Sequence, residues 1–470
     1  MTDHADVIII GAGSAGLAAL REVQKETRKV ILINNGLYGT TCARVGCMPS
    51  KALIEAAKAF HARRRLDVFG IRGSAALTVD LPAVLRRVRE LRDRFVASTL
   101  KATEALGERS IAGRARLFGP NRVDVDGRVF EADRIIIATG SRPIMPKPWQ
   151  ALGDRVLTTD TIFEEETLPL RIAVIGLGAV GTELAQALAR LGVEVSAFSH
   201  GDMLAGLTDK KVNSSLRSLL EQEFAIHTGA SVELSEAGQG VRVRAGAVEL
   251  EVGRVLVAIG RIPNLDDLGL ESLGVPLDAR GLPPFDPETT RIADLPVFIA
   301  GDANGYANLL HEAADEGYMA GRNALAAKPA CFQRRTPMGI VFAEPGVAFV
   351  GKRLGELKLE DVVIGEASFE NQARAVMAQR NHGLMRLYAA KSDARLLGAE
   401  MCVPAAEHLT HLLALAIGQG MTPHDLLRMP FYHPVLEEGL RSALRELAGQ
   451  FEKNTSDLAA CNAYEAEALD

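Results

Sequence analysis

The sequence predicts an α/β protein with two Rossmann-like dinucleotide-binding domains and a C-terminal α+β domain. Two glycine-rich turns, at residues 11–16 and 176–181, each follow an apolar strand pattern and precede a helical pattern. After about residue 336, several strand patterns come before the helical ones, which is typical of an α+β module. A chain of 470 residues is long enough for about three domains of ordinary size.

The composition is that of an ordinary globular protein and argues against several kinds of partner. Hydrophobic residues make up 47% of the chain, so a large core is available. A formal net charge of −6 argues against nucleic acid or an anionic membrane as the main partner. No run of about 18 apolar residues occurs, and a strand pattern begins by residue 6, where a signal peptide would have to lie. Five cysteines, an odd number, are not a secreted disulfide framework. We therefore expect a cytoplasmic protein that binds neither nucleic acid nor membrane.

The first glycine-rich turn has the features of a dinucleotide site. A buried-strand pattern ends at Ile10, and Gly-x-Gly-x-x-Gly follows directly. The glycines allow close approach of the backbone, and the N-terminus of the next helix receives the pyrophosphate. A second strand pattern ends at Asn34, where an acid for the adenosine ribose is expected, although an amide can also hydrogen-bond two hydroxyls. The expected dinucleotide contacts here are Gly11, Gly13, Ser14, Ala15, Gly16 and Asn34.

The second turn repeats this arrangement, and the duplication is more specific than either motif alone. The strand that follows its helix ends near Phe198, and Ser199 and His200 come next. An acid at this point reads the 2′-hydroxyl of NAD and an arginine reads the 2′-phosphate of NADP, but Ser199 is neither. The lack of a nearby arginine favours NAD, while His200 leaves contact with a phosphate open. The expected dinucleotide contacts of this unit are Gly176, Gly178, Val180 and Gly181.

Cys42 and Cys47 lie just downstream of the first dinucleotide motif, before a helical pattern that runs to about Arg64. A helix N-terminus carries partial positive charge and free N–H groups, which stabilise a thiolate. The intervening residues include Gly46, which makes the loop flexible enough to close a disulfide. A structural disulfide or a buried reduced pair is the alternative. The position suggests instead a redox pair beside a flavin.

The segment Cys42-x4-Cys47-x-Pro49-Ser50-Lys51 resembles the redox-active disulfide of the class I pyridine nucleotide–disulfide oxidoreductases, in particular of the dihydrolipoamide dehydrogenase type. The resemblance continues through residues 134–143, 254–264, 297–302, 310–317 and 431–438. It implies a homodimer with FAD and NAD as cofactors. It also implies that electrons pass from a lipoyl-carrying protein or a small dithiol, through Cys42 and Cys47 and FAD, to NAD+.

The resemblance also implies roles for single side chains. His433 and Glu438 match the family's acid–base dyad, which faces the cysteines of the other subunit, and Glu437 competes for the orienting role. Such a base is required because a dithiol attacks a disulfide only as a thiolate. Lys51 matches a lysine near the flavin's reactive nitrogen and Glu183 its partner, the alternative being an ordinary surface pair. The other implied cofactor contacts are Thr41, Ala138, Thr139, Gly140, Gly260, Asp302 and His311.

Four positions depart from the usual family pattern. Thr40 stands where glycine is common, Arg44 where asparagine is common, Val435 where threonine is common, and Asn34 replaces the acid. Arg44 lies within a turn of the cysteines, so we expect its charge to favour a thiolate and to select an anionic or specialised lipoyl-protein partner. The predicted boundaries are 1–147 and 269–337 for the two parts of the FAD-binding domain, 148–268 for the NAD-binding domain and 338–470 for the dimer-interface domain.

Other functions stay open at this point. One is the NAD(P)H-dependent reduction of another disulfide or a metal ion, as in glutathione or mercuric reductases. Another is a flavin redox sensor with incidental turnover. A mercuric reductase is expected to carry paired C-terminal cysteines, where only Cys461 occurs. No metal site is expected, because Cys402, Glu407, His408 and His411 match no common zinc spacing.

Overall fold

The computed structural model describes residues 3–451, and the first glycine-rich unit is built around a sheet that contains both parallel and antiparallel strand pairs. Its strands are β1 (Asp3–Ile10), β2 (Val30–Asn34), β3 (Ser110–Ala112), β4 (Ala115–Leu117), β5 (Arg122–Val125), β6 (Arg128–Ile137) and β7 (Ser141–Pro143). Its helices are α1 (Ser14–Glu26), α2 (Thr41–Arg44), α3 (Cys47–His61), α4 (Leu81–Glu104) and α5 (Lys147–Gln150). Strand β1 pairs in parallel with both β2 and β6, and Ile8 and Ile9 are fully buried. The continuous apolar run of β1 is explained by this burial on both faces.

The second glycine-rich unit repeats the strand–turn–helix arrangement. Its strands are β8 (Val156–Leu157), β9 (Arg171–Ile175), β10 (Glu194–Ser199), β11 (Ala225–Thr228), β12 (Val232–Ala237), β13 (Gly240–Ala245), β14 (Val248–Val252) and β15 (Arg254–Val257), with helices α6 (Ala179–Arg190) and α7 (Lys210–Leu220). The parallel sheet has the order β11-β10-β9-β15-β8. Strands β12–β14 form a separate antiparallel sheet. Sequence analysis missed this sheet, although apolar and charged residues alternate along residues 241–252.

The chain then returns to the first unit. Strand β16 (Arg261–Pro263) pairs antiparallel with β7, and β17 (Val297–Ile299) joins β6 in parallel to complete a seven-stranded sheet. Helix α8 (Leu310–Leu325) packs closely on α1, where a Cβ atom at Gly317 would overlap the carbonyl of Ala15. The sheet of the first unit therefore contains strands from two separate parts of the chain.

The C-terminal unit has the predicted order of strands before helices. Its strands are β18 (Met338–Val341), β19 (Gly346–Gly351), β20 (Val362–Ser368), β21 (Leu384–Ala390) and β22 (Leu396–Val403), and its helices are α9 (Ala373–Met377), α10 (Ala406–Gly418), α11 (Pro423–Leu427) and α12 (Glu437–Ala448). The antiparallel sheet has the order β18-β19-β22-β21-β20. One face packs on α10 and α12, and the other, with Val347 and Cys402, shares a core with α6. The predicted fold class is confirmed, and the exact domain boundaries stay predictions.

One local expectation needs correction. The helix expected to run to about Arg64 ends at His61 and continues as a 3₁₀ helix over Ala62–Phe69. Cys42 lies on the short helix α2, and Cys47 begins α3. Within residues 3–451, no helix combines the length and apolarity needed to cross a membrane.

Candidate active site

The two cysteines line one cavity from two different helices. Cys42 belongs to α2 and Cys47 is the first residue of α3, and both are free thiols. The turn into α2 is held by Thr40, whose hydroxyl accepts a hydrogen bond from the N–H of Ala43 at 3.1 Å. Thr40 has φ +50°, a conformation that glycine adopts more easily than threonine. This explains why glycine would be common at position 40.

The two thiols differ in their tendency to ionise. The hydrogen bond between them and the charge of Lys51 together lower the pKa of Cys47 to about 6, although burial and the charge of Glu183 oppose the shift. The same hydrogen bond, together with burial, raises the pKa of Cys42. Cys47 is therefore the thiolate at neutral pH and Cys42 keeps its proton. The sequence led us to expect Arg44 as the cation that stabilises the thiolate, but the charge that lowers the pKa of Cys47 is that of Lys51. The Arg44 side chain is half-buried, and its Nε has no hydrogen-bond partner.

Lys51 is held by a buried carboxylate. Its Nζ lies 2.8 Å from Oε2 of Glu183, whose side chain is only 4% exposed. Oε1 of Glu183 accepts a hydrogen bond from the N–H of Phe342 at 2.9 Å. The Lys51 ammonium also lies 4.7 Å from the centre of the Phe342 ring. An ordinary surface pair is excluded by this burial, so the expected Lys51–Glu183 partnership is present.

The cysteine cavity and a neighbouring cavity have the features needed for FAD. Gly11 has φ +112°, and a Cβ atom there would overlap the carbonyl of Ala138, so the turn requires glycine. Thr139 Oγ1 is buried without a hydrogen-bond partner, which leaves it available to a bound group. Of the predicted FAD contacts, the cysteine cavity is lined by Gly13, Ser14, Ala15, Thr41, Lys51, Ala138, Gly140 and Asp302, and the neighbouring one by Gly11, Asn34 and Thr139.

Two predicted contacts, Gly16 and His311, lie outside both cavities, and a third, Asn34, lines a cavity but already has partners in the protein. Gly16 is not a lining residue and instead allows the helix to approach the turn, because a Cβ atom there would overlap the carbonyl of Gly11. His311 lines neither cavity and lies 3.8 Å from Glu312. Asn34 accepts a hydrogen bond from the N–H of Ala12 at 3.1 Å and donates one to the carbonyl of Gly36 at 3.1 Å, so its amide already has partners in the protein.

Sequence analysis missed Ser141 and Arg261, which hold the predicted residue Asp302. Ser141 Oγ donates a hydrogen bond to Asp302 at 2.6 Å and accepts one from Nε of Arg261 at 2.8 Å. Arg261 also lines the cysteine cavity. The signal was present as two similar segments, Gly140-Ser141-Arg142-Pro143 and Gly260-Arg261-Ile262-Pro263, which pair as β7 and β16. Arg261 therefore connects the cysteine cavity to the second dinucleotide unit.

The second dinucleotide unit opens on an adjacent cavity. Gly176 has φ +98°, and a Cβ atom there would overlap the carbonyl of Ala258, as in the first turn. Gly181 has a packing role like that of Gly16, because its Cβ would overlap the carbonyl of Gly176. The predicted contacts Gly176, Gly178, Val180 and Gly260 line this cavity. Val180, Thr159 and Arg261 line both this cavity and the one that contains the cysteines.

The expected dyad is formed, but away from the cysteines of the same chain. His433 Nδ1 lies 3.0 Å from Glu438 Oε1, and Glu438 also accepts a hydrogen bond from the N–H of Val435 at 3.2 Å. The hydrogen bond with His433 lowers the pKa of Glu438. Glu438, rather than its competitor Glu437, thus orients the imidazole. His433 is 72% exposed and does not line the cysteine cavity.

The residues considered as metal ligands do not form a cluster. Cys402 is fully buried in β22, and burial raises its pKa to about 12. His411 Nδ1 lies 2.6 Å from the carbonyl oxygen of Glu407. No group of three His, Cys, Asp or Glu side chains suited to a metal occurs in residues 3–451, and Cys461 lies outside the described residues.

Comparison with known proteins decides the family. A family model described as pyridine nucleotide-disulphide oxidoreductase matches residues 5–317, and the model of its dimerisation domain matches residues 338–444. The chain belongs to the pyridine nucleotide-disulphide oxidoreductase family. FAD and NAD, the cofactors expected from the sequence, are confirmed for a member of this family, and a dimerisation domain supports the expected homodimer.

Relatives within the pyridine nucleotide-disulphide oxidoreductases carry different names. A dihydrolipoyl dehydrogenase of Thermus scotoductus is 33% identical over 95% of this chain and 98% of its own. A mercuric reductase of Acidithiobacillus ferrooxidans is 32% identical over 97% of this chain and 84% of its own. The crystal structure of LpdA from Mycobacterium tuberculosis superposes with a TM-score of 0.80 at 26% identity, covering 95% of this chain and all of that one (100%). The reaction class is therefore a flavin-dependent disulfide oxidoreductase, and these names leave the substrate to be proposed.

Proposed function

We propose that the protein is a dihydrolipoyl dehydrogenase, which oxidises the dithiol of a lipoyl-carrying protein with NAD+ as the final acceptor. The observation that carries this proposal is the pair Cys42 and Cys47 in one cavity, with Lys51 beside the more acidic thiol of Cys47. The similarity to dihydrolipoyl dehydrogenases favours a lipoyl substrate for this pair. FAD, when bound, accepts the electron pair of the reduced cysteines and passes it on as hydride to NAD+.

The residues of this chain then have separate tasks. The oxidised form carries a bond between Cys42 and Cys47, and a substrate thiolate attacks the sulfur of Cys42. That bond breaks, and Cys47 leaves as a thiolate stabilised by Lys51. The second substrate thiol displaces Cys42 and leaves as the oxidised disulfide, so the cysteines end as the dithiol. Glu183 positions Lys51, because it holds the ammonium at 2.8 Å from a buried carboxylate.

His433 of the partner subunit is proposed as the base that takes the proton of the substrate thiol. The exposed dyad of each chain lies outside the cysteine cavity of that chain, which supports a role across the dimer. Glu438 keeps a hydrogen bond on Nδ1, so Nε2 is the atom left to accept the proton. In the family this chain resembles, the dyad faces the other subunit in the same way.

The proposal is tested by steady-state assays with three substrate pairs: dihydrolipoamide with NAD+, oxidised glutathione with NADPH, and Hg²⁺ with NADPH. We expect turnover with dihydrolipoamide to exceed the other two. Cys42→Ser and Cys47→Ser should lower it by about 1,000-fold or more, whereas Cys331→Ser, at an exposed cysteine outside the cavity, should leave it unchanged. Turnover that persists in Cys42→Ser or Cys47→Ser would contradict the proposal.

A metal-ion reductase is the second candidate function because of the similarity to a mercuric reductase, and faster turnover with Hg²⁺ than with dihydrolipoamide would favour it.

A further inference from the structure

We propose that the nicotinamide cavity admits NADP(H) as well as NAD(H), and that Ser199 and His200 are the residues that accept the 2′-phosphate. The inference rests on the proposed function for the use of this cavity by a nicotinamide dinucleotide. It extends that function to a second coenzyme.

The two dinucleotide units of the chain locate the position next to the adenosine ribose. In the first unit, the N–H of Gly113 donates to the carbonyl of Asn34, the last residue of β2, at 3.1 Å. In the second unit, the N–H of Gly229 donates to the carbonyl of Ser199, the last residue of β10, at 3.2 Å. Strands β1 and β2 of the first unit, and β9 and β10 of the second, are parallel neighbours joined through a glycine-rich turn and a helix. Ser199 thus occupies the place of the residue that reads the ribose in such units.

The side chains at this end of the cavity are polar and have no partners in the protein. Ser199, His200 and Ser231 line the cavity, and none of the three makes a side-chain hydrogen bond or ion pair within residues 3–451. Asn34 differs in this respect, because its amide is engaged by the N–H of Ala12 and the carbonyl of Gly36. Ser199 and His200 of the second unit are therefore available to a ligand, whereas the Asn34 amide of the first unit already makes two hydrogen bonds within the protein.

The charge at this end does not oppose a phosphate. None of the described residues that line the cavity is an aspartate or a glutamate. Asp202, just beyond the lining residues, is 77% exposed, so solvent screens its charge, and it lies 3.8 Å from Arg217. A carboxylate at position 199 would bind a 2′-hydroxyl and repel a 2′-phosphate, whereas a serine hydroxyl can donate to either group. The exposed imidazole of His200 supplies a second donor to a phosphate oxygen.

Calorimetric titration of the FAD-loaded protein with adenosine 2′,5′-bisphosphate and with adenosine 5′-monophosphate tests the proposal without turnover. We expect the wild type to bind both, with dissociation constants within about tenfold of each other. Ser199→Glu should weaken the bisphosphate relative to the monophosphate by about 100-fold, and His200→Ala by about tenfold. The matched control is Ser218→Glu, which adds the same charge on the exposed side of α7 and should leave the ratio unchanged.

Two outcomes would overturn the proposal: binding of the monophosphate alone by the wild type, or a Ser199→Glu protein with the wild-type ratio. Anaerobic reduction of the bound flavin by NADH and by NADPH separates this inference from the proposed function. Reduction by both coenzymes supports the inference, and reduction by NADH alone overturns only the inference. Reduction by neither contradicts the proposed function itself.

Discussion

The chemistry of the cysteine cavity depends on which of two neighbouring sulfurs holds the proton. Cys42 donates to Cys47, and Lys51 adds a positive charge beside the acceptor sulfur. The result is one nucleophilic thiolate and one protonated thiol in the same cavity. The cation that lowers the pKa of Cys47 is Lys51 of the Pro-Ser-Lys sequence.

Lys51→Gln should raise the pKa of Cys47, because the charge that lowers it is removed. In the wild type, the rate of alkylation of Cys47 by iodoacetamide should increase as the pH rises through about 6. In the variant the same increase should occur at higher pH. The measurement uses the reduced protein without Cys331 and Cys461, and an unchanged midpoint would remove Lys51 from this role.

Thr40 combines a stabilising hydrogen bond with an unfavourable backbone conformation. Thr40→Ala removes the cap on Ala43 and keeps φ near +50°, so it should cost about 1 kcal/mol of unfolding free energy. Thr40→Gly also loses the cap but relieves the conformation, so its cost should be close to zero. Urea denaturation of the two variants checks this order, and equal costs would show that the conformation stores no strain.

Helix α6 connects the three units of the molecule. Val180 at its start lines two cavities, Glu183 in its first turns holds Lys51 and the N–H of Phe342, and Gln186 accepts from the N–H of Glu344 at 2.8 Å. The helix thereby fixes the nicotinamide unit, the helix that begins with Cys47, and the start of the C-terminal sheet relative to one another. Its interior is almost entirely buried, which is unusual for a helix that carries a glutamate and a glutamine.

Glu183→Ala should destabilise the protein by about 2 kcal/mol, because it leaves Lys51 and the N–H of Phe342 without a partner. The Lys51 side chain is 32% exposed, so water partly solvates its charge and keeps the cost at this value. Glu194→Ala serves as the control, since its pair with Arg171 is exposed on both sides and should contribute less than about 0.5 kcal/mol. Equal unfolding free energies for the two variants would show that the buried pair is not structural.

At the scale of the whole molecule, a buried polar cluster joins the nicotinamide unit to the C-terminal sheet. Glu400 is fully buried and accepts hydrogen bonds from the hydroxyl of Thr208 at 2.7 Å and the N–H of Leu354 at 2.8 Å. Asp209 caps α7 and accepts from the phenol of Tyr388 at 3.0 Å. Burial, followed by the two carboxylates, raises the pKa of Tyr388, so the phenol stays a donor at all ordinary pH values.

Tyr388→Phe should lower the unfolding free energy by about 1.5 kcal/mol, because a buried carboxylate of Asp209 loses one donor. Tyr432→Phe is the matched control, since Tyr432 is 81% exposed and should be neutral. Both are measured by urea denaturation of the FAD-loaded protein, and a neutral Tyr388→Phe would show that water replaces the phenol.

Sequence patterns identify the parts of this molecule that depend on neighbours in the chain. The glycine turns, the cysteine pair and the segment with His433 and Glu438 are local signals, and in the structure the residues of each lie close together. The missed features join distant positions. Ser141 and Arg261 meet only through strand pairing, and Asp209 meets Tyr388 only when two units pack. No spacing in the sequence specifies such contacts.

The exposed position of His433, outside its own cysteine cavity, has a consequence for mixtures of inactive chains. A subunit disabled by Cys47→Ser still presents an intact imidazole, and one disabled by His433→Gln still presents intact sulfurs. When equal amounts of the two are unfolded and refolded together, about half of the dimers should be hybrids with one working centre each, which restores about a quarter of the wild-type rate. Recovery of activity when the two inactive proteins are mixed would show that one active site uses residues of both subunits. A mixture that stays inactive would show that each active site uses the residues of a single chain.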